Sequence, residues 1–146
     1  MIAVQFPEPQ FSIRNEGEKR FVFDAIRKSW LLLTEEEWVR QNFINYLVQG
    51  LGYPSSLIAV EKEIQLNELK KRFDVLVYDA NHKPWMMIEC KAPQVTLNEN
   101  VLQQVLRYNM SVPVNFIVIT NGHFTIAWEK RGESLSEIML LPEWKF

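Results

Sequence analysis

Residues 70–91 read KKRFDVLVYDANHKPWMMIECK, and this stretch decides the fold. Phe73, Val75 and Val77 alternate with Asp74, Leu76 and Tyr78, the two-residue period of a strand whose faces differ. Asn81, His82 and Pro84 interrupt that period as turn residues do. Trp85-Met86-Met87-Ile88 is a second apolar run, ending in Glu89-Cys90-Lys91-Ala92-Pro93. A turn centred between Asn81 and His82 sets Tyr78 opposite Trp85 and Asp74 opposite Glu89. Opposed residues on one face hold their Cβ atoms about 4.5–5.5 Å apart. Lys91, two residues past Glu89, shares its face, while Cys90 points the other way as a buried thiol. Two carboxylates and an ammonium thus meet on one patch of sheet. Carboxylates that close repel unless a counter-charge intervenes, and a hard divalent cation with oxygen ligands is a suitable one.

The rest of the chain limits what this patch can belong to. Its 146 residues suit one domain spanning 1–146, too short for an added motor or second catalytic domain. With 47% apolar and 23% charged residues it has the composition of a soluble globular protein. The formal net charge of −2 means that a polyanionic partner has to be held by a local patch. A single cysteine excludes an internal disulfide framework and fits a reducing compartment. No apolar run approaches the roughly 18 residues of a membrane span, and MIAVQFPEPQ lacks the basic start and apolar core of a signal peptide. The expected location is cytoplasmic, with no membrane partner.

Outward from the centre, Leu57 to Leu66 alternates and predicts a strand turning at Asn67-Glu68, so that three strands form a meander. Thr34 followed by Glu35, Glu36 and Glu37 marks a helix start, with Glu37 at the capping-box position and Val39, Phe43, Tyr46 and Leu47 at core spacing. That helix ends near Gly50-Leu51-Gly52-Tyr53-Pro54. Phe11–Arg14 and Arg20–Phe23 flank Asn15-Glu16-Gly17-Glu18 as a small hairpin, and Asp24 to Leu33 stays ambiguous between a helical turn and an extended piece. Thr96-Leu97-Asn98-Glu99 reads as a second capping box, opening a helix with Leu97, Val101, Val105 and Tyr108 on one face. Val112 to Thr120 predicts a strand covered on both faces. Asn121-Gly122 turns the chain into a further strand from Phe124 to Trp128, and Ser134 to Leu140 suits a short helix.

This order predicts an α/β fold with a mixed sheet flanked by helices. Arg72-Phe73-Asp74, Glu89-Cys90-Lys91-Ala92-Pro93, Gln104 and Tyr108 together resemble the PD-(D/E)XK nuclease superfamily. The likeness is closest to the N-terminal nuclease domain of type I restriction enzyme R subunits, whose flanking segments resemble Thr34 to Pro54 and Val118 to Gly122. It covers roughly residues 27–128, the nuclease-like core, with the N-terminal hairpin as an extension. The resemblance implies a restriction-endonuclease-like fold and hydrolysis of DNA phosphodiesters with Mg²⁺ or Mn²⁺. It implies Asp74 and Glu89 as metal ligands with the Cys90 backbone carbonyl as a third, Lys91 orienting the attacking water, and Gln104 and Tyr108 reaching the site or the phosphates. Glu37 matches the acid that completes the metal shell. The relative continues into a motor and this chain ends, so the resemblance implies a homodimer, restriction or repair complex subunits as partners, or tolerance of single cuts. Phe73 stands where the motif has proline.

Other readings stay open beside these. Thr34-x-x-Glu37 explains Glu37 as a cap alone, and Glu36 replaces it if the helix is rotated differently. Lys91 can pair with Glu89 as a surface ion pair, Tyr108 can be core, and Gln104 plain surface. Lys70, Lys71, Arg72 and Arg107 are candidate phosphate contacts, with a solvated strand start as the alternative for the lysines. His82 and His123 lack zinc-ligand partners at the needed spacing. A nucleic-acid- or protein-binding module of the same fold, weak or inactive in catalysis, is the alternative function. An assembly subunit docking through its aromatic residues is a third.

Overall fold

The computed structural model describes residues 1–66 and 68–144. Its first unit is an antiparallel sheet of β1 (Ile13–Glu16), β2 (Lys19–Asp24) and β3 (Ser29–Leu32). The hairpin expected around Gly17 is present, and Gly17 occupies the turn with φ +62°, a conformation open to glycine at no steric cost. The ambiguous piece after Asp24 resolves into a turn and β3.

Thr34 then fixes where the first helix begins. Its hydroxyl accepts from the Glu37 N–H at 3.0 Å, and α1 runs Glu35–Asn45 with three acids in its first turn. The helix dipole favours negative charge there. A π-helical turn, Tyr46–Gly50, widens the end of the helix before Gly52, at φ +74°, releases the chain. Val39, Phe43 and Leu47 are buried, as their spacing requires.

The main sheet is mixed, in the order β4 (Ile58–Leu66), β5 (Leu69–Tyr78), β6 (Pro84–Cys90), β7 (Phe116–Thr120), β8 (Thr125–Arg131) and β9 (Ser134–Ile138). Only β6 and β7 pair in parallel among the described strands. Parallel neighbours need a crossover, and α2 (Glu99–Asn109) lies within it. One face buries Val39 and Phe43 of α1 and Leu47 of the π-helical turn against Val75, Val77, Met86, Ile88 and Val118. The other packs Leu106 of α2 and the Val112–Val114 connector onto Phe73, Leu76, Met87 and Ile117. The chain is therefore an α/β fold with helices flanking a mixed sheet. No described helix is long and apolar enough to cross a membrane.

Several local expectations change. The second helix is capped by Asn98, whose side chain accepts from the Val101 N–H, so it starts two residues later than a Thr96 cap implies and leaves Leu97 outside. The strand expected from Val112 begins only at Phe116; Val112 and Val114 are buried in the connector, which is why the run is apolar throughout. Ser134 to Ile138 is a strand, because Gly132 at φ +62° closes a two-residue hairpin with β8. Asn67 of the turn expected between β4 and β5 lies outside the described residues.

The central register is the one a midpoint turn demands, with Val75, Leu76 and Val77 opposite Ile88, Met87 and Met86. It slips at the turn, where the Asp79 carboxylate gathers the N–H groups of Asn81 and Lys83 at 2.8 and 3.0 Å. Tyr78 consequently faces Pro84 rather than Trp85. The alternation of β5 also breaks once. Phe73 shares a face with Leu76, not with Val75 and Val77. Across from Asp74, Glu61 takes φ +50° and leaves the ladder, which pairs Val60 with Val75 and resumes at Lys62 and Phe73. This paired irregularity keeps the register and brings Asp74 to the α1 side of the sheet, within reach of Arg40.

Candidate metal centre

Asp74 bridges the two central strands and the first helix. Its Oδ2 accepts from the Cys90 N–H at 2.9 Å, just past the paired end of β5 and β6, and its Oδ1 lies 3.4 Å from Arg40 Nη2. Glu89 sits on β6 next to that N–H. Burial, and after it the negative charge of Asp74, pushes the Glu89 carboxyl up to about 7. Its partner is Lys91, with Nζ 3.5 Å from Glu89 Oε1. The Lys91 N–H donates to the Thr120 carbonyl at 2.8 Å, which extends the β6–β7 pairing and holds the backbone of Glu89-Cys90-Lys91 in place. Cys90 has its thiol fully buried, and burial foremost pushes that thiol well above its ordinary value. It is a packing residue.

The first helix delivers two acids, and they do different things. Glu37 is buried and saturated: Arg27 Nη2 lies 3.0 Å from both its oxygens, Arg40 Nη1 donates at 2.6 Å and Gln41 Nε2 at 3.1 Å. It does not complete the capping box, because the Thr34 N–H donates to the Leu32 carbonyl. Glu36, one residue earlier, shares Arg40 Nη2 with Asp74. Burial and then the charge of Asp74 push its carboxyl above the usual range. Sequence reasoning missed Arg40, although Glu36 and Glu37 stand four and three residues before it, the spacing of ion pairs on a helix. It missed Arg27 and Glu61 as well.

Among the described residues no three His, Cys, Asp or Glu side chains form a ready-made metal cluster. The acids whose charges act on one another here are Asp74, Glu89 and Glu36. Hard oxygen donors in this number suit Mg²⁺ or Mn²⁺, ions that keep several waters and take few protein ligands. The raised value of Glu89 has the same sense, since crowded carboxylates are what a divalent charge relieves. The donor set fits such an ion.

Residues 35–142 match the family described as the type I restriction enzyme R protein N terminus. The chain belongs to that family. The match starts at the first residue of α1 and runs past β9, so it takes in Glu36, Asp74, Glu89 and Lys91, while the three-stranded sheet lies before it. No curated protein matches the chain.

In this R protein N-terminal domain the basic candidates separate by burial. Lys71 is only 8% exposed, and its ammonium donates to the Tyr108 carbonyl and, at 3.3 Å, to Ser111 Oγ. Its ammonium is thus engaged at the end of α2 rather than presented to solvent. Lys70, Arg72 and Arg107 are exposed, although Arg72 Nη2 pairs with Glu61 at 3.0 Å. Tyr108 is exposed rather than core, with its ring centroid 4.4 Å from Lys71 Nζ. Gln104, one turn earlier on α2, is also exposed.

Proposed function

We propose that this domain hydrolyses DNA phosphodiester bonds with Mg²⁺ or Mn²⁺, as a nuclease of the PD-(D/E)XK type. The observation that supports the reading is the tie between Asp74 and the strand of Glu89, whose carboxylate lies 3.5 Å from Lys91 Nζ. Asp74 is held by the Cys90 N–H at 2.9 Å, and Glu89 is pushed up to about 7 by burial and by Asp74. Asp74 and Glu89 would hold the ion, with the Cys90 carbonyl as a further oxygen and Glu36, in place of Glu37, as the acid from α1. The bound cation supplies charge stabilisation at the phosphate and lowers the pKa of water. Lys91 contributes a fixed positive charge where negative charge grows on the phosphate. Lys70, Arg72 and Arg107 supply exposed charge for backbone contacts without base reading. Gln104 and Tyr108 are exposed on α2, which packs on the other face of the sheet from α1, so any contact they make with DNA would be to the backbone outside the acid cluster. The partners are DNA and the other subunits of a restriction-type complex, or a second copy of the chain.

Nicking of supercoiled plasmid in the presence of Mg²⁺ or Mn²⁺ tests this. Cleavage lost in Asp74→Ala and in Lys91→Ala is the expected result. DNA binding without cleavage under either metal turns the reading to a binding module of the same fold.

A further inference from the structure

Arg40 belongs to α1, yet its guanidinium reaches into the acid cluster with a side chain only 5% exposed. Its two arms differ. Nη1 makes one short bond, 2.6 Å to Glu37 Oε1. Nη2 is spread over three carboxylates, at 3.3 Å from Glu36, 3.4 Å from Asp74 and 3.7 Å from Glu61. Its Nε is buried with no hydrogen-bond partner among the described residues. Charge-assisted N–H···O bonds centre on about 2.7–2.9 Å, so Nη1 is an anchor and Nη2 is a diffuse counter-charge. Asp74 does not depend on that diffuse arm for its orientation, because the Cys90 N–H holds its other oxygen at 2.9 Å.

We propose that Arg40 is the resident counter-cation of this site: Nη2 neutralises Asp74 and Glu36 in the ion-free protein and gives those oxygens up when a divalent cation binds, while Nη1 stays on Glu37. Arg40 is thus a positioning residue that sets how tightly the cation is held, and this role rests on the metal reading of the site. A loose shared contact can be surrendered without moving the side chain, whereas a bidentate pair with Asp74 would have to break. The Nη2 arm therefore competes with the ion and weakens its binding.

Arg40→Lys keeps a cation for Glu37 and removes the forked second arm. Calorimetric titration with Mn²⁺, without DNA, is expected to show binding about tenfold tighter in Arg40→Lys than in the wild type, the scale of one lost competing charged hydrogen bond. Equal or weaker binding overturns the role of Arg40 alone. Failure of both proteins to bind Mn²⁺ overturns the metal reading and this role with it. Should Arg40→Lys not fold, a Mg²⁺ titration of the wild type followed by ¹⁵N resonances of the Arg40 guanidinium decides the matter. Movement of Nη2 with Nη1 fixed supports the exchange, and no movement of either overturns it.

Discussion

The Cys90 backbone N–H donates to Asp74 Oδ2 at 2.9 Å, tying the acid of β5 to the strand that carries Glu89. The bond fixes one carboxylate where its charge disfavours ionisation of the other. Asp74→Asn keeps an acceptor for the N–H but removes the charge. In this variant the Glu89 carboxyl is expected to titrate below the wild-type value of about 7, remaining above 4.5 because burial, the larger cause, persists. Carboxyl ¹³C shifts of Glu89 followed against pH measure this. An unchanged midpoint would mean that Asp74 is not the neighbour that matters.

Stability without metal should depend on pH through the same residue. A carboxyl whose pKa is raised on folding favours the folded state below its unfolded value, and that contribution disappears as pH rises through the folded value. For Glu89 the window runs from about 4.5 to about 7, and a shift of this size corresponds to about 3 kcal/mol. Glu89→Gln is expected to raise the metal-free Tm at pH 8 and to flatten its dependence between pH 5 and pH 8. Mn²⁺ should then stabilise the wild type at pH 8 and leave the variant nearly unchanged. Thermal melts across that range, with and without Mn²⁺, give both answers.

Much of this geometry was legible in the chain. The turn residues between Tyr78 and Trp85 set a midpoint, and the midpoint set the Val75–Ile88 register that brings the Asp74 and Glu89 strands together. Thr34 and its acids marked the helix that closes the site. The misreadings share a cause: period and capping rules describe regular segments, and the functional geometry sits where regularity fails. Strict alternation put Phe73 with Val75, whereas the irregularity at Glu61 and Asp74 moved it to the other face. Glu37 fitted a cap motif, and nothing in that motif says that Arg27, ten residues before it, comes back to pair with it. The burial of Lys71 depends on where α2 ends, and that is a long-range fact.

Glu36 and Glu37 should separate cleanly. Removing Glu37 leaves Arg27 and Arg40 facing each other in a buried space without their shared anion. Breaking a buried pair by deleting one partner costs about 3–5 kcal/mol, so Glu37→Ala is expected to lose that much in urea unfolding. Glu36 is 47% exposed at its side chain, and Glu36→Gln should stay within about 0.5 kcal/mol of the wild type. The same Glu36→Gln variant should bind Mn²⁺ more weakly. A large stability loss from Glu36→Gln, or none from Glu37→Ala, would reverse the roles assigned to them.

Lys71 and Lys70 are neighbours in sequence, one buried and one exposed. The Lys71 ammonium serves the Tyr108 carbonyl and Ser111 at the end of α2, and the Tyr108 ring covers it. A cation there satisfies a terminal carbonyl and the negative end of the helix dipole. Lys71→Met keeps the apolar stem and deletes the charge, so it is expected to cost about 1 kcal/mol, the scale of one hydrogen bond to a partly buried acceptor. DNA affinity should keep the same salt dependence in this variant, because no phosphate contact is removed. Lys70 is exposed, and Lys70→Ala should instead leave stability nearly unchanged while reducing the slope of log K against log salt by about 1. Binding isotherms at several salt concentrations, set beside denaturant melts of both variants, distinguish the lysine that holds the fold from the one proposed to meet the backbone.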